Sequence, residues 1–147
     1  MKLNSKDKQL IKEATEVAKS NCDIYADIGL HVGAVVLAKS GKVYRGINLK
    51  TSHSVCAEQV AIGQAFACGE REFETIVAVK LDENGEGRVV SPCGVCRYFF
   101  DKFSLDFNII VEDIETGEVL KVKAKDLLPY PYRREQKCSC KSCKGKE

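Results

Sequence analysis

Ser91-Pro92-Cys93-Gly94-Val95-Cys96-Arg97 is the stretch that decides the fold, read together with Val55-Cys56-Ala57-Glu58 upstream of it. Two cysteines three apart at the opening of a helix place both sulfurs on one face of its first turn. Unpaired backbone N–H groups there favour negative charge, so the turn suits two thiolates. Cys56 can supply a third. Three protein ligands with one open position is the arrangement of a catalytic zinc, whereas a structural zinc is closed by four. The open position takes water. Glu58 is not needed as a ligand, and two residues from Cys56 it can lie over that water and carry protons. A lone Cys-x-x-Cys fits a redox pair or half a zinc knuckle equally well. The alternative, a purely structural zinc or a set of reduced cysteines, gives Glu58 no task.

Cys56-Ala57-Glu58 followed by Pro92-Cys93-x-x-Cys96 resembles the cytidine deaminase family, including its blasticidin-S deaminase branch, from about Leu10 to Tyr132. The logic is that of the zinc deaminases, which join a Cys/His ligand, a nearby glutamate and a Pro-Cys-x-x-Cys. The resemblance implies a three-layer α/β/α fold with a mixed five-stranded sheet. It implies one Zn²⁺ per subunit on Cys56, Cys93 and Cys96, with Glu58 as the catalytic acid and base. The implied reaction is hydrolytic removal of the 4-amino group from a cytosine nucleoside, giving the uracil product and ammonia. By the same resemblance the Ala57 N–H binds the carbonyl side of the ring and the Ser91 carbonyl accepts from the 4-amino group. Asn48 would hold the sugar. A homotetramer is the implied assembly, a dimer the alternative.

The rest of the sequence suits this picture. A chain of 147 residues is one domain with a sizeable core. No stretch approaches the length needed to cross a bilayer, and eight cysteines, three of them in a metal constellation, read as a reducing compartment; a cytoplasmic protein is expected. Residues 133–147 hold six Lys/Arg against two Glu, which turns the +2 of the whole chain into −2 over residues 1–132. That body offers no basic groove for nucleic acid. The domain therefore spans 1–132. The tail, 133–147, is too polar to build a core and is expected to be disordered, although Cys138, Cys140 and Cys143 leave a second metal open.

Periodicity fills in the elements. Leu10, Ile11, Ala14, Val17 and Ala18 mark an amphipathic helix over 5–20. Residues 32–38 and 42–49 make a hairpin across Ser40-Gly41, and Ser54 is expected to cap a helix over 55–68. Residues 75–81 form a third strand, a helix covers 93–103, and strands follow at 107–111 and 119–122 before a short helix at 125–128.

Several positions depart from the family. Its Asn-x-Glu is Asn48-Leu49-Lys50 here, and an ammonium cannot accept from a sugar hydroxyl but can pair with an anion. Blasticidin S carries a carboxylate on its sugar ring, so Lys50 points towards that branch or another anionic cytosine derivative; the alternative is a Lys50 that faces water. The family's aromatic before Pro-Val-Gly-Ala is Leu30, followed by His31. Three thiolates on Zn²⁺ leave a net −1, which a nearby cation or dipole should offset. Gln59 stands where many relatives have arginine, so Arg97 is expected to take that part, with Gln59 and Pro92 supporting the ligand turns. Tyr132, after Leu127-Leu128-Pro129, is a candidate pocket cover, His53 a candidate pocket wall, and Cys22 and Cys68 are read as packing residues. A nucleic-acid deaminase and a silent zinc-binding regulatory protein are the other classes weighed.

Overall fold

The computed structural model describes residues 1–22, 31–103 and 106–132. The elements run α1 (Ser5–Cys22), β1 (Val32–Ala38), β2 (Val43–Ile47), α2 (Ala57–Ala67), β3 (Phe73–Leu81), β4 (Gly87–Val90), α3 (Gly94–Lys102), β5 (Asn108–Glu112) and β6 (Val119–Lys123), closed by a 3₁₀ turn at Ala124–Leu127. The tail and the loop carrying Leu30 lie outside the described residues, as does the side chain of Cys22.

Five strands form one sheet in the order β2-β1-β3-β5-β6, in which only β3 and β5 run parallel. The sixth, β4, was not expected as a strand. It pairs antiparallel with Ala78–Leu81 of β3, on the edge that β5 occupies from Thr75 to Val77. One edge of β3 is thus shared between two strands.

The two faces of β1 explain the layers. Val35 and Leu37 point to one side, where with Val77, Val79 and Ile110 they bury Leu10 and Ala14 of α1. Ala34, Val36 and Ala38 point to the other, under α2 and α3. Small residues set how closely the helices lie. A Cβ on Gly33 would strike the backbone of α1 at Ala14 and Ala18, and one on Gly46 would strike the backbone of α2 at Ala57 and Ala61. The start of α2 therefore rests directly on β2. At the far end, Asn4 and Asp7 cap α1 reciprocally, and the buried Asp7 carboxylate pairs with Lys121 of β6 at 2.8 Å.

Aromatic packing fixes α3. Phe100 meets Phe107 edge-to-face at 5.2 Å between ring centroids, and Phe66, Phe73, Phe99 and Phe103 continue the cluster from α2 to the sheet. Such pairs contribute roughly 0.5–1.5 kcal/mol each beyond area burial.

Ser54 is not the cap of α2. Its hydroxyl donates to the Thr51 carbonyl within the loop, and the helix begins at Ala57 with Cys56 as its N-cap. The loop itself is pinched at its neck, where Leu49 and Val55 exchange two backbone hydrogen bonds of 2.9 Å. Cys68, read as a packing residue, is exposed at the C-cap of α2, beyond the last buried residue of the helix, Ala65.

Because Gly46 lies against helix backbone that cannot swing aside, Gly46→Ala is expected to destabilise the protein by about 2 kcal/mol or more. A urea unfolding midpoint unchanged from wild type would contradict this contact.

Candidate active site

Both motif turns end at helix N-termini, and the sheet brings those termini together. Cys56 (φ −72°, ψ 149°) is the N-cap of α2 and Cys93 (φ −69°, ψ 170°) the N-cap of α3; Cys96 follows on the first turn of α3, fully buried. Their sulfurs all lie within 4.8 Å of one another, and the Sγ atoms of Cys56 and Cys93 are 3.6 Å apart. Sulfurs at the usual Zn–S length of about 2.3 Å in a tetrahedron stand about 3.8 Å apart, so the set fits one zinc ion. Neither histidine joins it. The His53 ring contacts Ser52 Oγ on the exposed loop, and the three cysteines are the one metal-competent cluster among the described residues.

The electrostatics differ from sulfur to sulfur. Burial pushes the Cys56 thiol up to about 11, with the neighbouring Glu58 charge adding to the rise. Burial also drives Cys96 far above the ordinary thiol range, reinforced by Glu58 and Cys56. At Cys93 burial opposes the thiolate, but the backbone N–H groups of Cys96 and Val95 and the Cys56 thiol outweigh it and hold Cys93 below the usual value. The open first turn of a helix does the work expected of it there.

Glu58 is only 7% exposed, one residue beyond the start of α2. Burial raises its carboxyl above the normal range, while its own backbone N–H and the Cys96 thiol pull it back. A carboxyl raised in this way beside a cysteine cluster is suited to taking up and passing on a proton.

The supporting residues take definite partners. Gln59 Oε1 accepts from the Cys56 N–H at 3.3 Å, which fixes the turn where that ligand sits. Pro92 is buried, and its carbonyl accepts from Arg97 Nε at 2.8 Å; Arg97 Nη1 reaches the Leu127 carbonyl at 3.4 Å. The Arg97 guanidinium thus ties the ligand turn to the closing 3₁₀ turn, and both of these bonds go to carbonyls rather than sulfurs. Ser91 Oγ donates to the Glu112 carbonyl at 3.0 Å. Asn48 prolongs the hairpin: its Oδ1 and N–H bond the N–H and carbonyl of Val32, each at 3.0 Å.

Other expected contacts lie further out. Lys50 is exposed at the neck of the loop before Cys56. Tyr132 is 74% exposed. A cleft of about 1110 Å³ opens beside the cysteines rather than over them, touching His31, Ser91, Arg97, Arg88, Glu112 and Ile114. Arg88 and Glu112 were not foreseen, since neither falls in a motif; the pairing of β4 and β5 with the same edge of β3 brings them together.

The family model for the cytidine and deoxycytidylate deaminase zinc-binding region matches residues 4–111. The chain belongs to this family. It is 33% identical over 139 residues to a blasticidin-S deaminase of Bacillus cereus, covering 90% of this chain and 96% of that one. With a cytidine deaminase of Halalkalibacterium halodurans it shares 31% identity over 130 residues, 86% of this chain and 93% of the relative. The crystal structure of a cytidine deaminase from Burkholderia pseudomallei superposes with a TM-score of 0.61 at 27% identity, covering 82% of this chain and 98% of the other. The α/β/α architecture is that of these enzymes, and the chain is a hydrolytic aminohydrolase by membership. No helix among the described residues is long and apolar enough to cross a membrane.

With Cys56 and Cys96 protonated at neutral pH in the metal-free protein, zinc must displace those protons, so affinity rises with pH and falls in acid. Zinc titration at pH 7 in two buffers of different ionisation enthalpy should show release of two or more protons per ion. Release of fewer than one would contradict the thiol assignments.

Proposed function

We propose that the chain is a zinc-dependent deaminase of cytosine nucleosides, with Cys56, Cys93 and Cys96 as ligands and Glu58 as the proton carrier. The observation that carries this is the buried Glu58 carboxyl against the cysteine cluster, because a structural zinc site has no use for it. When bound, zinc supplies Lewis acidity that lowers the pKa of a water from ~16 towards ~7. Glu58 takes the proton of the attacking water and passes it to ring N3, making C4 more electrophilic. It then takes the remaining proton of the attacking oxygen, now bonded to C4, and delivers it to the amine. The C4 carbonyl forms as the C4–N bond breaks and ammonia leaves, so that one carboxylate serves as base and acid.

The surrounding backbone orients the ring. Ala57 opens α2, where first-turn N–H groups have no intrahelical acceptor, which supports its N–H as donor to the ring carbonyl. The Ser91 carbonyl receives the 4-amino group, helped by Pro92, whose ring holds Ser91 extended. Asn48 places the end of β2 for contact with the sugar. Exposed Val95, Tyr98 and Phe103 along α3 support burial of that helix between subunits, in a tetramer or a dimer.

A second reading is favoured by Lys50. It stands exposed where a carboxylate would bind sugar hydroxyls, and it suits an anionic substituent on the sugar, as in blasticidin S. The relative from Bacillus cereus, matched over nearly its whole length, supports the same branch.

Ammonia release by the zinc-loaded protein is to be measured across cytidine, deoxycytidine, their monophosphates, cytosine and blasticidin S. Turnover of cytidine or deoxycytidine supports the first reading, turnover of blasticidin S alone the second, and silence with zinc bound contradicts both. On the best substrate, Glu58→Gln should retain one zinc and lose at least about a hundredfold in kcat. Undiminished turnover would remove Glu58 from the mechanism.

A further inference from the structure

The shared edge of β3 leaves a gap directly beneath the ligand turn. β5 pairs with β3 only as far as Ile110, and β4 takes over from Ala78, so Val111 and Glu112 lie beside Val90 and Ser91 without a ladder between β4 and β5. Yet β4 runs straight into Ser91-Pro92-Cys93, which bears a ligand and the carbonyl assigned to the substrate amine. A four-residue strand paired along one edge is a weak foundation for that turn.

Side chains span the gap, and they converge on one residue. The Glu112 carboxylate accepts from Arg88 Nε at 2.7 and 3.0 Å and from Arg88 Nη2 at 2.6 Å, a bidentate fork across to β4. The Glu112 carbonyl accepts from Ser91 Oγ at 3.0 Å. Fork geometry makes such a pair directional as well as attractive. The alternation of β4 directs Val89 into the core, while Arg88, 67% exposed by its side chain, is left to reach β5.

We propose that Glu112 is a positioning residue: with Arg88 and Ser91 it latches the end of β4 to the end of β5 and so sets where the Ser91 carbonyl and Cys93 stand. It acts through the Ser91-Pro92-Cys93 turn. The inference rests on the deaminase reading for its kinetic consequence, but the placement of Cys93 does not depend on turnover. A displacement of the Ser91 carbonyl weakens a contact that guides the ring into its reacting geometry, where errors of an ångström are costly.

The test uses the full chain with Arg88→Gln, Glu112→Gln, the double variant and Ser91→Ala. Two readouts are taken: kcat and KM for ammonia release from the best substrate, and the visible absorption of the cobalt(II)-loaded protein, which reports the geometry of the three sulfurs without turnover. Each single variant should lower kcat/KM by about tenfold at unchanged thermal midpoint and shift the cobalt bands. The double variant should be no worse than either single one, as expected of a coupled pair. Unchanged kinetics and bands in Arg88→Gln and Glu112→Gln would overturn the proposal. So would losses that multiply in the double variant, or that follow a fall in thermal midpoint. If the wild type itself releases no ammonia, the deaminase reading fails, and the cobalt bands alone decide the latch.

Discussion

Two helix N-termini meeting tip to tip is the constraint on which this structure depends. A thiolate cluster inside a protein is costly unless dipoles or cations surround it, and the first turns of α2 and α3 supply oriented N–H groups. Cys56 and Cys93, as N-caps, sit where that field is strongest, and the difference between the lowered Cys93 and the raised Cys56 and Cys96 shows how unevenly burial and backbone share the task. Everything that holds the tips in register follows from it. Gly46 lets the start of α2 lie on β2, Gln59 pins the Cys56 turn, and the phenylalanine cluster locks α3 to the sheet.

The metal cluster was legible because its signal is local: a Cys-x-x-Cys at a helix start and a Cys-x-Glu need no knowledge of long-range pairing. The layers were legible for a similar reason, through the 3.6-residue period of α1 and the small, β-branched run of β1. What stayed hidden depends on partners distant in sequence. Gly87-Arg88-Val89-Val90 is too short, and too close to a charged turn, to announce a strand, so its ladder with Ala78–Leu81 appears only in the fold. Ser54 looked like a cap because serine commonly is one, but it lies three residues before the true start of α2 and its hydroxyl is spent on Thr51. Arg97 could be placed near the cysteines from its position, whereas its bonds to two carbonyls required the closing turn to be seen against α3.

The site combines a core shared with its family and a periphery of its own. Cys56, Glu58, Cys93 and Cys96 sit on helix starts that the whole fold braces, so their geometry resists change. Lys50 lies on an exposed loop pinched at its neck, and His31 and Ile114 rim the cleft beside the turn. Residues so placed can vary without disturbing the metal, and substrate preference in such a fold is free to change there while the chemistry proposed for Glu58 is kept.

X-ray absorption at the zinc edge of the loaded protein tests the central claim most directly. Three sulfurs at about 2.3 Å with a single oxygen at about 2.0 Å would show three cysteines leaving one position for water. A shell of four sulfurs, or a nitrogen from histidine, would contradict the account.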